Sequence, residues 1–340
     1  MPERCARCVL PAGFPGVSFG ADGLCSLCAE APPPERIRRD RELLRARLEE
    51  RIETLRGRAQ IDCIVAYSGG KDSSLTLRIL VEEYRLQVLA ITVDNGFVAG
   101  GARENASRVT KALGVDHEWF TPSPDFMTRL YRVSASEAGV HPPAALRRAS
   151  GICNSCIALI NAHMVRRAAE MGVPMVAGGY IGGQVPKDAA ILDFDLLQGA
   201  ATRRPATGRY AKIFGPAAER YFGLPASLGA HAAFPRITIL NPLLTRSITE
   251  EQIIASIAEL GWRPVTDAGR SSSNCRLNDL GIALHHREHG THPYIFEIAE
   301  QVRAGLLSRE EALDRVLDIP TLGAVAPQAR AIGLDAGVLA

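Results

Sequence analysis

The chain has no run of about 18 uninterrupted apolar residues, so a membrane-spanning helix is excluded. Its opening Met1-Pro2-Glu3-Arg4-Cys5 has no signal-peptide hydrophobic region, and the expectation is a cytoplasmic protein that meets no membrane. An excess of one charge is also missing. Lys and Arg number 39 against 37 Asp and Glu, and a net charge of +2 gives no strong field for nucleic acid. The visible basic concentration, Arg36 to Arg58, is interleaved with Asp40, Glu42, Glu49, Glu50 and Glu53. It reads as a solvated helix, with RNA contact as the alternative. Internal repeats and low-complexity tracts are absent, and disorder is not indicated. At 340 residues, with 46% apolar and 22% charged, the chain can build one principal soluble domain plus smaller pieces.

In a reducing compartment the eight cysteines are read as metal or redox chemistry rather than as disulfides. Cys5-x-x-Cys8, sixteen intervening residues, then Cys25-x-x-Cys28 is a four-thiolate spacing suited to one tetrahedral Zn2+. Turn chemistry at Pro11 to Gly16 and Ala21 to Gly23 lets so short a chain fold back on itself. The metal would replace the core such a module cannot build, and four thiolates leave no open position for substrate. Cys153 and Cys156 form another close pair, and Cys275 stands alone. If the fold joins them, three thiolates could hold an iron-sulfur cluster, leaving one iron open to sulfide. The other reading is a redox or inert pair with Cys275 merely buried. Cys63 belongs to the core of the first strand.

Ser68-Gly69-Gly70-Lys71-Asp72-Ser73 follows the apolar run Ile61 to Tyr67 and opens a helical pattern. Its glycines let backbone N–H groups approach a phosphate, the helix start favours negative charge, and Ser68, Lys71 and Ser73 add donors. The Walker spacing, with four residues between Gly and Gly-Lys, is not present. Strands at Ile61 to Tyr67, Gln87 to Val93, His117 to Phe120, Pro174 to Ala177 and Ile237 to Leu240 are expected. They alternate with helices at Ser73 to Tyr84, Gly101 to Leu113, Ile157 to Met171 and Thr249 to Leu260. Such alternation predicts an α/β fold, a doubly wound parallel sheet. The expected organisation is a zinc module over 1–31, a linker helix over 32–59 and a catalytic domain over 60–262. That domain carries a substrate-side insertion or lid at about 184–236, and a helical region over 263–340 carries Cys275. Asp94 ends the second strand at the carboxyl edge, as a nucleotide contact or as a plain turn residue. Gly178 and Gly179 end a later strand, for close approach of a ligand or as a flexible loop. His285, His286, His289 and His292 cluster near Cys275 and read as solvated or satisfied rather than liganded.

Ser-Gly-Gly-Lys-Asp-Ser after a strand resembles the PP-loop of the ATP pyrophosphatase (adenine nucleotide alpha hydrolase) superfamily. The resemblance implies a Rossmann-like fold that binds ATP at residues 68–73, cleaves it between the α and β phosphates and adenylates a substrate oxygen. A nitrogen or sulfur nucleophile then displaces AMP. Lys71 and the loop N–H groups would neutralise the triphosphate together with Mg2+, for which Asp72 is a candidate ligand. Two groups within the superfamily compete. Cys153, Cys156 and Cys275 beside N-terminal zinc cysteines are similar to the arrangement in tRNA thiolation enzymes, which implies a 4Fe-4S cluster and sulfide or a sulfur donor protein. The zinc module through Cys28, with Val93-Asp94-Asn95-Gly96-Phe97, resembles N-acetyl sugar amidotransferases, which implies ammonia from a separate glutaminase, since the chain has no obvious glutaminase of its own. The sulfur reading is preferred, because the distant third cysteine is hard to explain otherwise. The substrate is a small molecule or a tRNA, and a homodimer is the family expectation.

Overall fold

The computed structural model describes residues 4–137, 139–198 and 204–334. The ends of the outer expected regions, 1–3 and 335–340, and Arg203 of the insertion lie outside them, and so do the side chains of Lys187 and Arg204. Six strands form one sheet: β1 (Cys63–Ala66), β2 (Val88–Val93), β3 (Asp116–Phe120), β4 (Met175–Ala177), β5 (Ile191–Asp195) and β6 (Arg236–Leu240). Their spatial order is β3-β2-β1-β4-β6-β5. All neighbours are parallel except β5 and β6, so the fold is the doubly wound, Rossmann-like sheet that the alternation predicts.

Burial explains the composition of the strands. β1 and β4 are apolar because helices cover both their faces, and alternate residues enter opposite cores. Cys63 and Val65 join one core with Leu48 and Ile52, and Ile64 enters the other with Leu130 and Leu159. The edge strands β3 and β5, Asp-His-Glu-Trp-Phe and Ile-Leu-Asp-Phe-Asp, carry the charges that discourage further pairing. β5 was not expected from the sequence, where residues 184–236 read as a substrate-side insertion or lid. It lies in that stretch and pairs antiparallel with β6, followed by helices Arg204–Phe214, Pro216–Phe222 and Ala226–His231.

Two sequence expectations are corrected. The helix expected from Ile157 begins at Gly151, because the Ser150 side chain accepts from the Cys153 amide and caps it. Cys153 and Cys156 therefore lie on its first turns rather than on a preceding loop. The helix expected from Ser73 begins at Lys71 and, beyond Arg78, widens into a π turn over Ile79–Glu83. No helix of the described residues is long and apolar enough to cross a membrane.

The N-terminal cysteine module packs against two late helices. Cys5, Cys8, Val9, Leu10 and Phe14 share a core with Ile295 and Ile298 of helix Ile295–Arg303 and Ala312 and Val316 of helix Arg309–Leu317. The strand order reverses between β1 and β4, and the loops leaving these two strands flank the position where open α/β sheets bind ligands.

Candidate active site

Residues 68–73 form the loop after β1. Gly69 has φ +73°, and a Cβ there would fall on the Ala102 carbonyl, so glycine is required for both conformation and space. Trp262 Nε1 donates to the Gly69 carbonyl at 3.0 Å and pins the turn from the other side. Ser68 Oγ accepts from the Gly70 amide at 3.3 Å and lies 3.0 Å from Ser73 Oγ. Gly179, after β4, packs on the same element, where a Cβ would stand 2.9 Å from the Ser73 nitrogen. Gly178 is similarly confined by Asn241 and Tyr180. The strand, glycine turn and helix start on which the PP-loop resemblance rests therefore stand together at the switch point of the sheet.

Lys71 Nζ lies 3.0 Å from Asp72 Oδ2 and 3.9 Å from Glu250 Oε1. Burial works against its charge, but Asp72, Glu250 and Glu297 outweigh that and hold its pKa above the ordinary lysine value. Asp72 Oδ1 is buried with no hydrogen-bond partner. An orphaned carboxylate oxygen beside a phosphate-type loop fits a Mg2+ ligand. Asp94 accepts from the Gly96 amide at 3.1 Å and from Arg103 at 2.6 Å, the contacts of a turn-forming aspartate with a cationic partner.

The three central cysteines converge. Asn95 Nδ2 donates to Cys156 Sγ at 3.6 Å and to Cys275 Sγ at 3.7 Å. Tyr131 donates to Cys156 at 3.4 Å, and the Tyr294 hydroxyl lies 3.4 Å from Cys153 Sγ. Cys275 reaches this place because its segment pairs with the chain after β2: Ala99 donates to the Asn274 carbonyl and Arg276 to the Phe97 carbonyl, both at 2.9 Å. Burial and then the neighbouring Cys156 and Cys153 push the Cys275 thiol up to about 12. Burial also raises Cys156, with Tyr131 and Asn95 acting against it. Cys156 and Cys275, whose thiols are both raised, form with the neighbouring Cys153 a donor set that a cationic group would satisfy, and loading would release protons. Three thiols are the kind of donor set that suits an iron-sulfur cluster.

Cys5, Cys8, Cys25 and Cys28 are buried with their sulfurs all within 4.8 Å of one another, a four-thiol set that fits one tetrahedral ion. Burial opposes ionisation of Cys5, yet backbone contacts from Cys25, Cys8 and Arg7 bring it down to about 6. Arg303 Nη1 lies 3.7 Å from Cys8 Sγ, and Arg309 donates to the Cys5 carbonyl at 3.2 Å. These arginines are second partners of the sulfur site, supplied from the far end of the chain.

Sequence reasoning missed Asn95, Tyr131, Ser273, Tyr294 and Glu297. Asn95 was visible as turn chemistry and within the Val93 to Phe97 resemblance but not as a contact of the cysteines, and the others are set by contacts between distant segments. Ser273 accepts from the Lys71 amide at 3.3 Å, two residues before Cys275. Burial pushes the Glu297 carboxyl up to about 7, with Gln184 and Lys71 opposing. His285 and His292 are buried, which lowers them to about 3 and about 4, and both are neutral.

No protein-family profile matches the chain. An uncharacterized protein of Methanocaldococcus jannaschii is 27% identical over 275 residues, covering 80% of this chain and 78% of its own length. A glutamine-hydrolyzing GMP synthase from Pyrobaculum aerophilum is 32% identical over 87 residues, 25% of this chain and 17% of the synthase. Among solved structures, the chain is similar to the U34-tRNA thiolase NcsA of Methanococcus maripaludis with its 4Fe-4S cluster. That similarity has a TM-score of 0.37 and 13% identity, covering 94% of this chain and 90% of the thiolase.

Proposed function

We propose that this protein is an ATP-dependent adenylating enzyme of the PP-loop type that replaces a substrate oxygen with sulfur. The observation that carries the reading is the Ser271–Cys275 segment. Its Ser273 touches the amide of Lys71 and its Cys275 shares Asn95 with Cys156, so one short loop joins the phosphate site to the thiol site.

In this reading the loop amides and the charged Lys71 hold the triphosphate, and Asp72 Oδ1 is the ligand for Mg2+. A substrate oxygen attacks the α phosphorus, the bond to the β phosphate breaks, and pyrophosphate leaves. The adenylated carbon is then open to a nucleophile, which forms its bond there as AMP departs with the former substrate oxygen. Cys153, Cys156 and Cys275 would hold the iron-sulfur cluster, which would supply the sulfur chemistry there, with sulfide coming from a donor protein or from solution. Asn95, Tyr131 and Tyr294 orient the thiols, and Cys5, Cys8, Cys25 and Cys28 would hold a structural Zn2+.

An amide-forming reaction is the second reading. It is favoured by the match to a glutamine-hydrolyzing enzyme and by the zinc-module resemblance to sugar amidotransferases, and its ammonia would come from a separate glutaminase. The two readings separate on metal content. Iron, sulfide and zinc are determined on protein purified without oxygen, for wild type and Cys275→Ala. About four irons lost in the variant, with about one zinc kept in both, supports sulfur insertion. Zinc without iron after anaerobic reconstitution sinks it and leaves the amide reaction.

A further inference from the structure

Arg147 is a cation without a counter-ion among the described residues. Its Cζ lies 5.5 Å from the ring centre of Phe14 and 5.2 Å from that of Phe296. The two rings are themselves stacked, 6.1 Å apart at 17°. Its Nε is buried with no hydrogen-bond partner, a donor that the protein leaves unmatched. Arg148 lies over the Phe296 ring at 4.8 Å and donates through Nη1 to the Gly183 carbonyl at 2.5 Å. Burial and the charge of Arg147 both weaken the hold of Arg148 on its proton, and Glu300 offsets this only in part. That carboxylate already pairs with Arg303 at 2.8 Å.

Aromatic faces fix a guanidinium while leaving its edge donors free, and a planar fork of donors matches an oxyanion in two contacts. Three separate segments build the arrangement: the metal module gives Phe14, the chain before helix Gly151–Met171 gives the arginines, and helix Ile295–Arg303 gives Phe296. The location ties it to both centres. Arg148 stands two residues before Ser150, which caps the helix of Cys153 and Cys156, and Phe296 stands two residues after Tyr294. Gly183, which Arg148 holds, packs on the backbone of Glu297, one of the charges that face Lys71.

We infer that Arg147 and Arg148 form the binding site for an oxyanion group, a carboxylate or a phosphate monoester, on a small-molecule substrate. The inference rests on the adenylating function proposed above, because the anion is the handle that places the substrate between the phosphate loop and the thiols. Two adjacent cations on an aromatic platform suit one anionic group. A polynucleotide calls for a track of basic side chains along its backbone, and a chain of net charge +2 offers little field for it.

The test uses the full-length metal-loaded protein with its PP-loop filled by α,β-methylene-ATP, so that the loop no longer takes up phosphate. Inorganic phosphate is titrated by phosphorus NMR and acetate by saturation-transfer NMR, on wild type, Arg147→Gln, Arg148→Gln and Arg147→Lys. The expected result is binding in wild type, weakened roughly tenfold or more in the two glutamine variants and partly kept in Arg147→Lys. Tighter binding of phosphate than acetate assigns a phosphorylated substrate, and the reverse assigns a carboxylate. Absence of binding for both anions, or equal binding in wild type and Arg147→Gln, overturns the inference. Uptake of added tRNA by a protein that binds neither phosphate nor acetate overturns it as well. Affinity for the ATP analogue is read in the same samples, so failure of the adenylating reading has its own signature, and zinc content reports that each variant has folded.

Discussion

Ser273 Oγ accepts a hydrogen bond from the Lys71 amide at 3.3 Å, across 202 positions of the chain. The contact ties the start of the phosphate-loop helix to the segment that presents Cys275. Gly70 is the residue that allows it, since a Cβ there would lie 2.8 Å from the same Ser273 oxygen. Changes in one centre should therefore be felt in the other.

Lys71→Ala is expected to weaken ATP binding by roughly tenfold or more, because a charged donor to phosphate is lost. Ser273→Ala should weaken it by a smaller factor, about threefold to tenfold, as one neutral hydrogen bond disappears. Calorimetric titration with α,β-methylene-ATP measures both. An affinity in Lys71→Ala equal to that of wild type would remove this loop from nucleotide binding.

Asn95 is 7% exposed and donates to two of the three sulfurs, so Asn95→Leu should disturb the thiol site without touching its ligands. Loss of such a supporting donor typically costs about tenfold to a hundredfold in metal affinity. Reconstituted variant and wild type are compared for the rate of iron release to a chelator. Equal rates would show that Asn95 does not support the site.

The sheet and the phosphate loop were legible because each is written locally. Ile61 to Tyr67 is an apolar run buried on both faces, and Ser-Gly-Gly-Lys-Asp-Ser is a turn whose glycines have specific steric work to do at 69 and 70. Cys5, Cys8, Cys25 and Cys28 were legible for the same reason, since their spacing alone brings them into one module. The union of Cys153 and Cys156 with Cys275 was visible as residue types only. What accomplishes it is the pairing of Asn274 and Arg276 with Ala99 and Phe97, long-range backbone contacts that leave no periodic trace. β5 escaped notice because an edge strand exposed to solvent tolerates Asp193 and Asp195, which blur the apolar pattern. Arg303 and Arg309 could be placed at the thiol module only by the packing of their distant helices on it.

Chelator treatment or Cys25→Ser, either of which would deny the four-thiol module a metal, should loosen the helices Ile295–Arg303 and Arg309–Leu317 as well as the module itself. Arg303 and Arg309 reach into the cysteine loops, and Phe14 stacks on Phe296. A structural metal supplies much of the folding free energy of such a module, so its loss exposes this shared core. Hydrogen exchange is expected to rise over 5–28 and 294–317 together, while β1, β2 and β4 keep their protection. Exchange confined to 5–28 would show that the helices stand without the metal.

Glu297 makes stability depend on pH in a direction opposite to that of a salt-bridged carboxylate. Burial raises its folded pKa to about 7, above the ordinary value of 4.5. Between these two values the folded state keeps a proton that the unfolded state has released, so raising the pH favours unfolding. The contribution is fully present below the unfolded pKa and is lost as pH rises through the folded one. Glu297→Gln keeps the neutral shape at every pH. The melting temperature of the variant should therefore fall less than that of wild type between pH 4.5 and about 7, with the variant the more stable of the two at pH 8. Parallel melting curves across that window would mean that the carboxyl is already ionised beside Lys71. The same measurement with α,β-methylene-ATP bound should carry the wild-type fall on to pH above about 7, because a triphosphate beside Lys71 further disfavours a second negative charge at Glu297 and raises the upper limit of the window.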